Sequence, residues 1–245
     1  MGISSSWDGT FTSSDFFLSA KALSGKWKTT NPAFPPWTWV PSPRSLGAAP
    51  SEVQGYLSLE KFCLHRNNKE NRDDDSYYEK GDPIDKAALV YLILVIGEVI
   101  KFNSACQVHS YEQEINFYDF HIVYSNSYRV PVLYFCGYHC DGQPLTLENI
   151  EIDLPTNSLE ILRESKWTFM TQEEHPILNR PWYTLHPCGT SEWMKLLFYA
   201  VSSQANREGV RIEQQYLISW LSVVGQAVGL RVPLEMLPSM TNVLT

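Results

Sequence analysis

Apolar positions along this chain of 245 residues recur with two different spacings, and each change of spacing marks a change of element. SSDFFLSAKAL (13–23) opens on residues able to cap a helix and places Phe16, Phe17, Ala20 and Leu23 at helical spacing, which predicts a short amphipathic helix. The segment NPAFPPWTWVPSP that follows is too rich in proline to continue it. GYLSLEKFCL (55–64) partly alternates and predicts a strand. HRNNKENRDDDSYYEKGDP then carries almost no apolar residues, the composition of a surface loop, here placed near 65–85.

Two runs rich in β-branched and aromatic residues within 115–139 predict a hairpin joined around Ser125, Asn126 and Ser127. Phe120, Ile122 and Tyr124 share one face of the first run, and Leu133, Phe135 and Gly137 share one face of the second. Asp141-Gly142 predicts a turn, and PWYTLHP (181–187) a short last strand. Thr190 is a candidate N-cap for a helix to about Ser203, with Trp193, Met194, Leu196, Leu197, Tyr199, Ala200 and Val201 as its wide apolar face. A final helix is expected from about Glu213 to Val228. The order of elements predicts an α+β fold, an antiparallel meander sheet with helices packed on it, built as one domain over 1–245 without internal repeats.

Composition narrows the function. Hydrophobic residues at 44% and aromatics at 13% suffice for a core. A net charge of −8 argues against a protein whose task is to grip nucleic acid. Five cysteines (Cys63, Cys106, Cys136, Cys140, Cys188) in no regular spacing suit reduced thiols in the cytoplasm better than a disulfide framework. The N-terminus lacks the basic and apolar regions of a secretory signal. Gly2 and Ser6 match the acylation pattern without a polybasic partner, and one acyl chain anchors weakly. AALVYLILVI (87–96) and YLISWLSVVGQAVGL (216–230) both fall short of the ~20 residues that span a bilayer, so no stable membrane insertion is expected.

The chemistry centres on WYTLHPCGTSEWM (182–194). Cys188 lies between a strand end and a helix start, a place that exposes sulfur at the sheet edge and favours thiolate through the helix dipole. Three uses are open: a nucleophile, a cysteine hydrolase with a histidine base, or a structural cysteine in a noncatalytic binding module. The histidines on offer are His65, His109, His121, His139, His175 and His186; strand alternation carried through Pro187 would put His186 on the face of Cys188. Cys136, His139 and Cys140, with His186 and Cys188, fit zinc spacing poorly. No phosphate-binding or dinucleotide motif is present, and no metal or organic cofactor is expected.

The blocks YSNSYRVPVLYF (124–135), DGQPLTL (141–147), EEHPIL (173–178), LHPCGTSEWM (185–194) and ISWLSVVGQAVGL (218–230), in this order, resemble the conjugating-enzyme family of autophagy-related protein ten. With the N-terminal helix and WTW (37–39), the resemblance covers about two thirds of the chain. It implies a reduced ubiquitin-conjugating-enzyme-like fold. It further implies a cysteine, here Cys188, that accepts the ubiquitin-like modifier autophagy-related protein twelve as a thioester from the activating enzyme, autophagy-related protein seven. The modifier would then pass to a lysine of autophagy-related protein five. The Asn that ubiquitin-conjugating enzymes commonly keep near the cysteine is missing at the matching site; the resemblance assigns support of the reaction to His186 and Tyr128 instead. The hairpin 115–139 is expected to offer an exposed strand edge to the modifier or the target. Residues 90–113 depart from the family pattern as an atypical hydrophobic insertion, read as an added strand or helix or as a splice product.

Overall fold

The computed structural model describes residues 7–42, 53–64, 116–155, 158, 170–204 and 212–237. The loop near 65–85, the insertion 90–113, the acylation pattern at Gly2 and Ser6, and His65, Cys106 and His109 lie outside them.

Helix α1 runs over Ser13–Thr30, longer than the apolar spacing predicts. The cap is Thr12: its hydroxyl accepts from the Asp15 N–H, and the Asp15 carboxylate takes the Thr12 N–H in return. Gly25 interrupts the apolar pattern, yet Trp27 beyond it is buried and continues the inward face of Phe16, Ala20 and Leu23. The Trp27 indole N–H donates to the Pro35 carbonyl, which ties the proline-rich turn back to the helix it ends. Thr12→Ala removes the hydroxyl half of the capping box while the backbone N–H can still reach the Asp15 carboxylate, and is expected to cost about 1 kcal/mol. Chemical denaturation of the two proteins checks this.

Six strands form one antiparallel sheet: β1 (Thr38–Pro41), β2 (Gly55–Leu64), β3 (Asn116–Ser125), β4 (Val130–Tyr138), β5 (Met170–Glu174) and β6 (Pro181–Leu185). Their spatial order is β1-β2-β3-β4-β6-β5. The short helix α2 (Leu147–Asp153) follows the Asp141 turn. Helix α3 covers Thr190–Gln204 and α4 covers Ile212–Val224, after which the chain tightens into a 3-10 turn at Gly225–Val228. The α+β antiparallel architecture expected from the pattern is the one observed.

The predicted face sharing in the hairpin holds: Phe120 pairs with Phe135 and Ile122 with Leu133. These residues join Leu57, Leu59 and Leu185 against α1 and α4, where Phe16, Leu23, Tyr216, Leu217 and Trp220 close the main core. The opposite face of the sheet is apolar too. Tyr56, Val123, Val132, Tyr134 and Trp182 form a second, smaller cluster there. Strands buried on both faces cannot show clean alternation, which is why β3 and β4 read as nearly continuous apolar runs.

Two expectations need correction. Pairing of β3 with β2 and of β4 with β6 makes both hairpin strands internal, so the exposed edge expected at 115–139 is not there. Among the described strands, the free edges belong to β1 and β5. On α3, Trp193, Met194 and Phe198 face the core, whereas Leu196 and Tyr199 are exposed. The apolar face is thus narrower than the sequence suggests, because only the stripe at helical spacing of three to four residues can meet the sheet.

Candidate functional site at the end of strand β6

Strand β6 ends at Leu185, and the next four residues turn the chain into α3. Gly189 controls that turn. Its φ of +74° is a left-handed conformation that glycine adopts without strain. Its carbonyl accepts the Trp193 N–H at 3.1 Å, the first bond of the helix. Gly189 therefore occupies the N-cap position, one residue earlier than the predicted Thr190, which is buried as the first helical residue. The correction moves Cys188 closer to the helix start. It stands exposed immediately before the cap.

His186 reaches Cys188 through this turn and not through strand alternation, since the extended backbone has already ended at Leu185. The Cys188 backbone N–H donates to His186 Nδ1 at 3.1 Å. A ring nitrogen that accepts carries no proton, so the imidazole proton is placed on Nε2, on the far side of the ring from the Cys188 amide. Tyr128 meets this ring edge-on, with centroids 6.1 Å apart and planes at 75°. It projects from the hairpin turn and is about half exposed, at 49%. The Tyr128 N–H donates to Ser125 Oγ, and the Arg129 N–H closes the turn onto the Ser125 carbonyl. Tyr128, distant in sequence, is therefore brought to His186 and the Cys188 turn at one end of the sheet.

The other histidines are placed elsewhere. His139 bonds Asn116 Oδ1 and Asn149 Nδ2 at the opposite end of β3 and β4. His121 and His175 are buried together in the smaller cluster behind the sheet, with Nδ1 of the first and Nε2 of the second 3.1 Å apart. Cys136 is half-buried against the Tyr138 hydroxyl, and its neighbour in the zinc pattern, Cys140, is exposed in the following turn. Among the described residues, no three His, Cys, Asp or Glu side chains come together as a group able to hold a metal. No described helix is long and apolar enough to cross a membrane.

An exposed thiol at a strand-to-helix turn can accept an acyl group from a large partner. Sulfur is a good nucleophile and a good leaving group, and the resulting thioester keeps the acyl group activated for attack by an amine. A closed cleft would bar two protein substrates; this site is open. Gly189 went unnoticed in the sequence, although a Cys-Gly pair between strand and helix is a recognisable signal for a left-handed turn.

Comparison with known proteins shows the family of the chain. Residues 15–235 match the model of the family described as autophagocytosis associated protein, active-site domain. The chain is 46% identical over 231 residues to the ubiquitin-like-conjugating enzyme ATG10 of Arabidopsis thaliana, covering 94% of this chain and 96% of that protein. It is 40% identical over 138 residues to the human ubiquitin-like-conjugating enzyme ATG10, covering 56% of this chain and 57% of that one. Among solved structures, the autophagic E2 Atg10 aligns with a TM-score of 0.40 at 13% identity, over 91% of this chain and 99% of that chain. The chain belongs to the autophagocytosis-associated protein family and, within it, to the ubiquitin-like-conjugating enzymes.

Proposed function

We propose that Cys188 is the acceptor cysteine of a conjugation cycle that joins autophagy-related protein twelve to autophagy-related protein five, with autophagy-related protein seven as the activating enzyme. One observation carries the reading: Cys188 is exposed just ahead of α3, with its backbone held by His186 and with Tyr128 against the same ring. The enzyme acts in the cytoplasm, as a single domain, without metal or organic cofactor.

In the loading step the Cys188 thiolate attacks the thioester carbonyl between modifier and activating enzyme. The tetrahedral intermediate collapses, the activating enzyme's thiolate leaves, and the modifier is held on Cys188. In the discharge step a lysine amine attacks the new thioester, loses its proton, and displaces the Cys188 thiolate to leave an isopeptide bond. The second step develops an oxyanion and needs a neutral amine. Tyr128 offers a hydroxyl donor toward developing negative charge, and His186 fixes the Cys188 backbone through Nδ1.

His186→Ala and Tyr128→Phe are therefore expected to load normally but to discharge more slowly, on the order of tenfold to a hundredfold for a group that stabilises charge or moves a proton. Single-turnover discharge of a preformed thioester measures this. Wild-type rates in both variants would remove the two residues from the reaction.

A further inference from the structure

Cys188 and Tyr128 sit on different elements, the start of α3 and the hairpin turn, and neither element bonds the other through its backbone in any described hydrogen bond. A third segment touches both. Residues 8–11 run between them, ahead of the cap of α1.

On the hairpin side, the Phe11 N–H donates to the Arg129 carbonyl at 3.2 Å, and the Arg129 guanidinium pairs with the Asp8 carboxylate at 3.8 Å. Arg129 follows Tyr128 and has a φ of +56°, a left-handed conformation unusual for a residue with a side chain, so the turn is held in a shape it would otherwise resist. The Tyr124 hydroxyl donates to the Phe11 carbonyl at 2.8 Å, which adds a second tie to the same hairpin.

On the helix side, Gly9 packs directly on the first turn of α3. A Cβ at Gly9 would lie 1.7 Å from the Ser191 carbonyl oxygen, closer than any real contact, and its φ of +84° is already left-handed. Below, the Tyr216 hydroxyl of α4 donates to the Gly9 carbonyl at 2.7 Å, and the Phe11 ring stacks on the Tyr216 ring at 4.0 Å. Trp7 packs edge-on against Phe198 of α3. The segment is thus fixed to the rigid helical layer, to the helix that follows Cys188, and to the turn that carries Tyr128.

We propose that residues 8–11 are a positioning strap: by bonding Arg129 on one side and seating Gly9 against Ser191 on the other, they set the placement of Tyr128 against His186. The inference rests on the role given above to Tyr128. Gly9 and Asp8 touch no substrate in this scheme; they act through the hairpin turn. Loading needs only an exposed Cys188, whereas discharge needs Tyr128 in place, so the strap governs the second step and leaves the first alone.

The test uses full-length protein loaded with modifier by activating enzyme and ATP, with free lysine as the nucleophile. Gly9→Ala forces the strap off Ser191, and Asp8→Ala removes the pair with Arg129 and the two bonds from Thr10 while leaving the buried contacts intact. Both are expected to load at the wild-type rate. Discharge is expected to fall on the order of tenfold for Gly9→Ala and two- to threefold for Asp8→Ala, the size of loss that a misplaced group produces. Neither is expected to slow discharge further once Tyr128→Ala is present. That last result separates positioning from general damage, since a loosened fold would slow both steps and would add to Tyr128→Ala. Should Gly9→Ala fail to fold, Asp8→Ala and its combination with Tyr128→Ala carry the same comparison. Wild-type discharge in the strap variants beside slow discharge in Tyr128→Ala would overturn the strap alone. Full slowing that persists in the Tyr128→Ala background would overturn it as well. Wild-type discharge in Tyr128→Ala itself would overturn the site reading and the strap together.

Discussion

Cys188→Ala is expected to abolish the covalent adduct that forms when the protein is incubated with activating enzyme, modifier and ATP. Cys188→Ser is expected to form, if anything, an adduct that survives reductant on the gel. The first change deletes the nucleophile, so the loss should exceed about a hundredfold in loading rate. The second replaces a thioester by an oxyester, which reductant does not cleave and which aminolysis discharges poorly. The competing thiols differ physically. Burial pushes the Cys136 thiol up to about 12 and also raises that of Cys63, so both are held in the unreactive form at neutral pH. Cys140 is exposed, as Cys188 is, but lies in the turn after β4, at the far end of that strand from Tyr128. Cys140→Ser should therefore leave the adduct unchanged. A reductant-sensitive adduct in Cys188→Ala, lost on changing Cys140, would move the acceptor site to the other end of the sheet.

Much of this site could be read from residue order because its chemistry is local. His186, Cys188 and the start of α3 fall within a few residues of one another, and the change from strand to helix spacing is visible around them. Tyr128 entered only through the resemblance. Nothing in its own neighbourhood says that the hairpin turn will meet the end of β6; that meeting depends on β4 pairing with β6 at Tyr134 and Phe135. Strand β5 gives a weak signal for a different reason. Its sequence MTQEE is mostly polar, as an edge strand open to water on one side can be, and its two glutamates discourage pairing with other chains. Strand β1 hides in a proline-rich stretch because an edge tolerates Pro41. The strap at residues 8–11 has no periodicity at all. Many of its contacts are made by its own backbone, to the Arg129 carbonyl, to the Ser191 backbone and to the Tyr124 and Tyr216 hydroxyls, which no periodic pattern of side chains announces.

The sequence offers the histidines behind the sheet only as possible bases, and their setting leads to a second large effect: the fold should lose stability as the solution becomes mildly acidic. His175 Nδ1 accepts the backbone N–H groups of Ile177 and Leu178, both at 3.2 Å, so its proton is on Nε2. That proton is donated to His121 Nδ1. Both rings must be neutral for this chain of bonds to exist. The pair is enclosed by aromatic rings, with Trp182 stacked on His121 at 4.2 Å and Tyr56 at 4.5 Å. Burial, helped for His121 by the neighbouring His175 and for both by Arg180, lowers His121 to about 3 and His175 to about 4. The charged or titratable groups that reach this face are Arg180 over Trp182, Glu60 of β2 near Tyr56, Glu173 of β5 near Tyr134, and Asp119 and Cys136 further along the sheet. In the unfolded chain both imidazoles take up protons below about pH 6.5. Folded-state values lie lower, so the unfolded state binds more protons through the window from about 6.5 down to 4. Stability is complete above that window and falls as pH drops through it, by up to ~1.4 kcal/mol per unit for each histidine. Between pH 6.5 and 5 the loss should reach roughly 2–4 kcal/mol, before most carboxylates begin to titrate. Urea denaturation at pH 7, 6 and 5 measures it. His121→Asn and His175→Asn each keep an acceptor near the Nδ1 position and remove one titrating ring, so each should lower stability at pH 7 yet flatten its decline by about half. Stability that is level from pH 7 to 5 in the wild type, or an undiminished slope in both variants, would show that the pair does not govern the acid response. The consequence reaches the site, because the turn that His175 bonds leads directly into β6, and β6 delivers Cys188 to the surface.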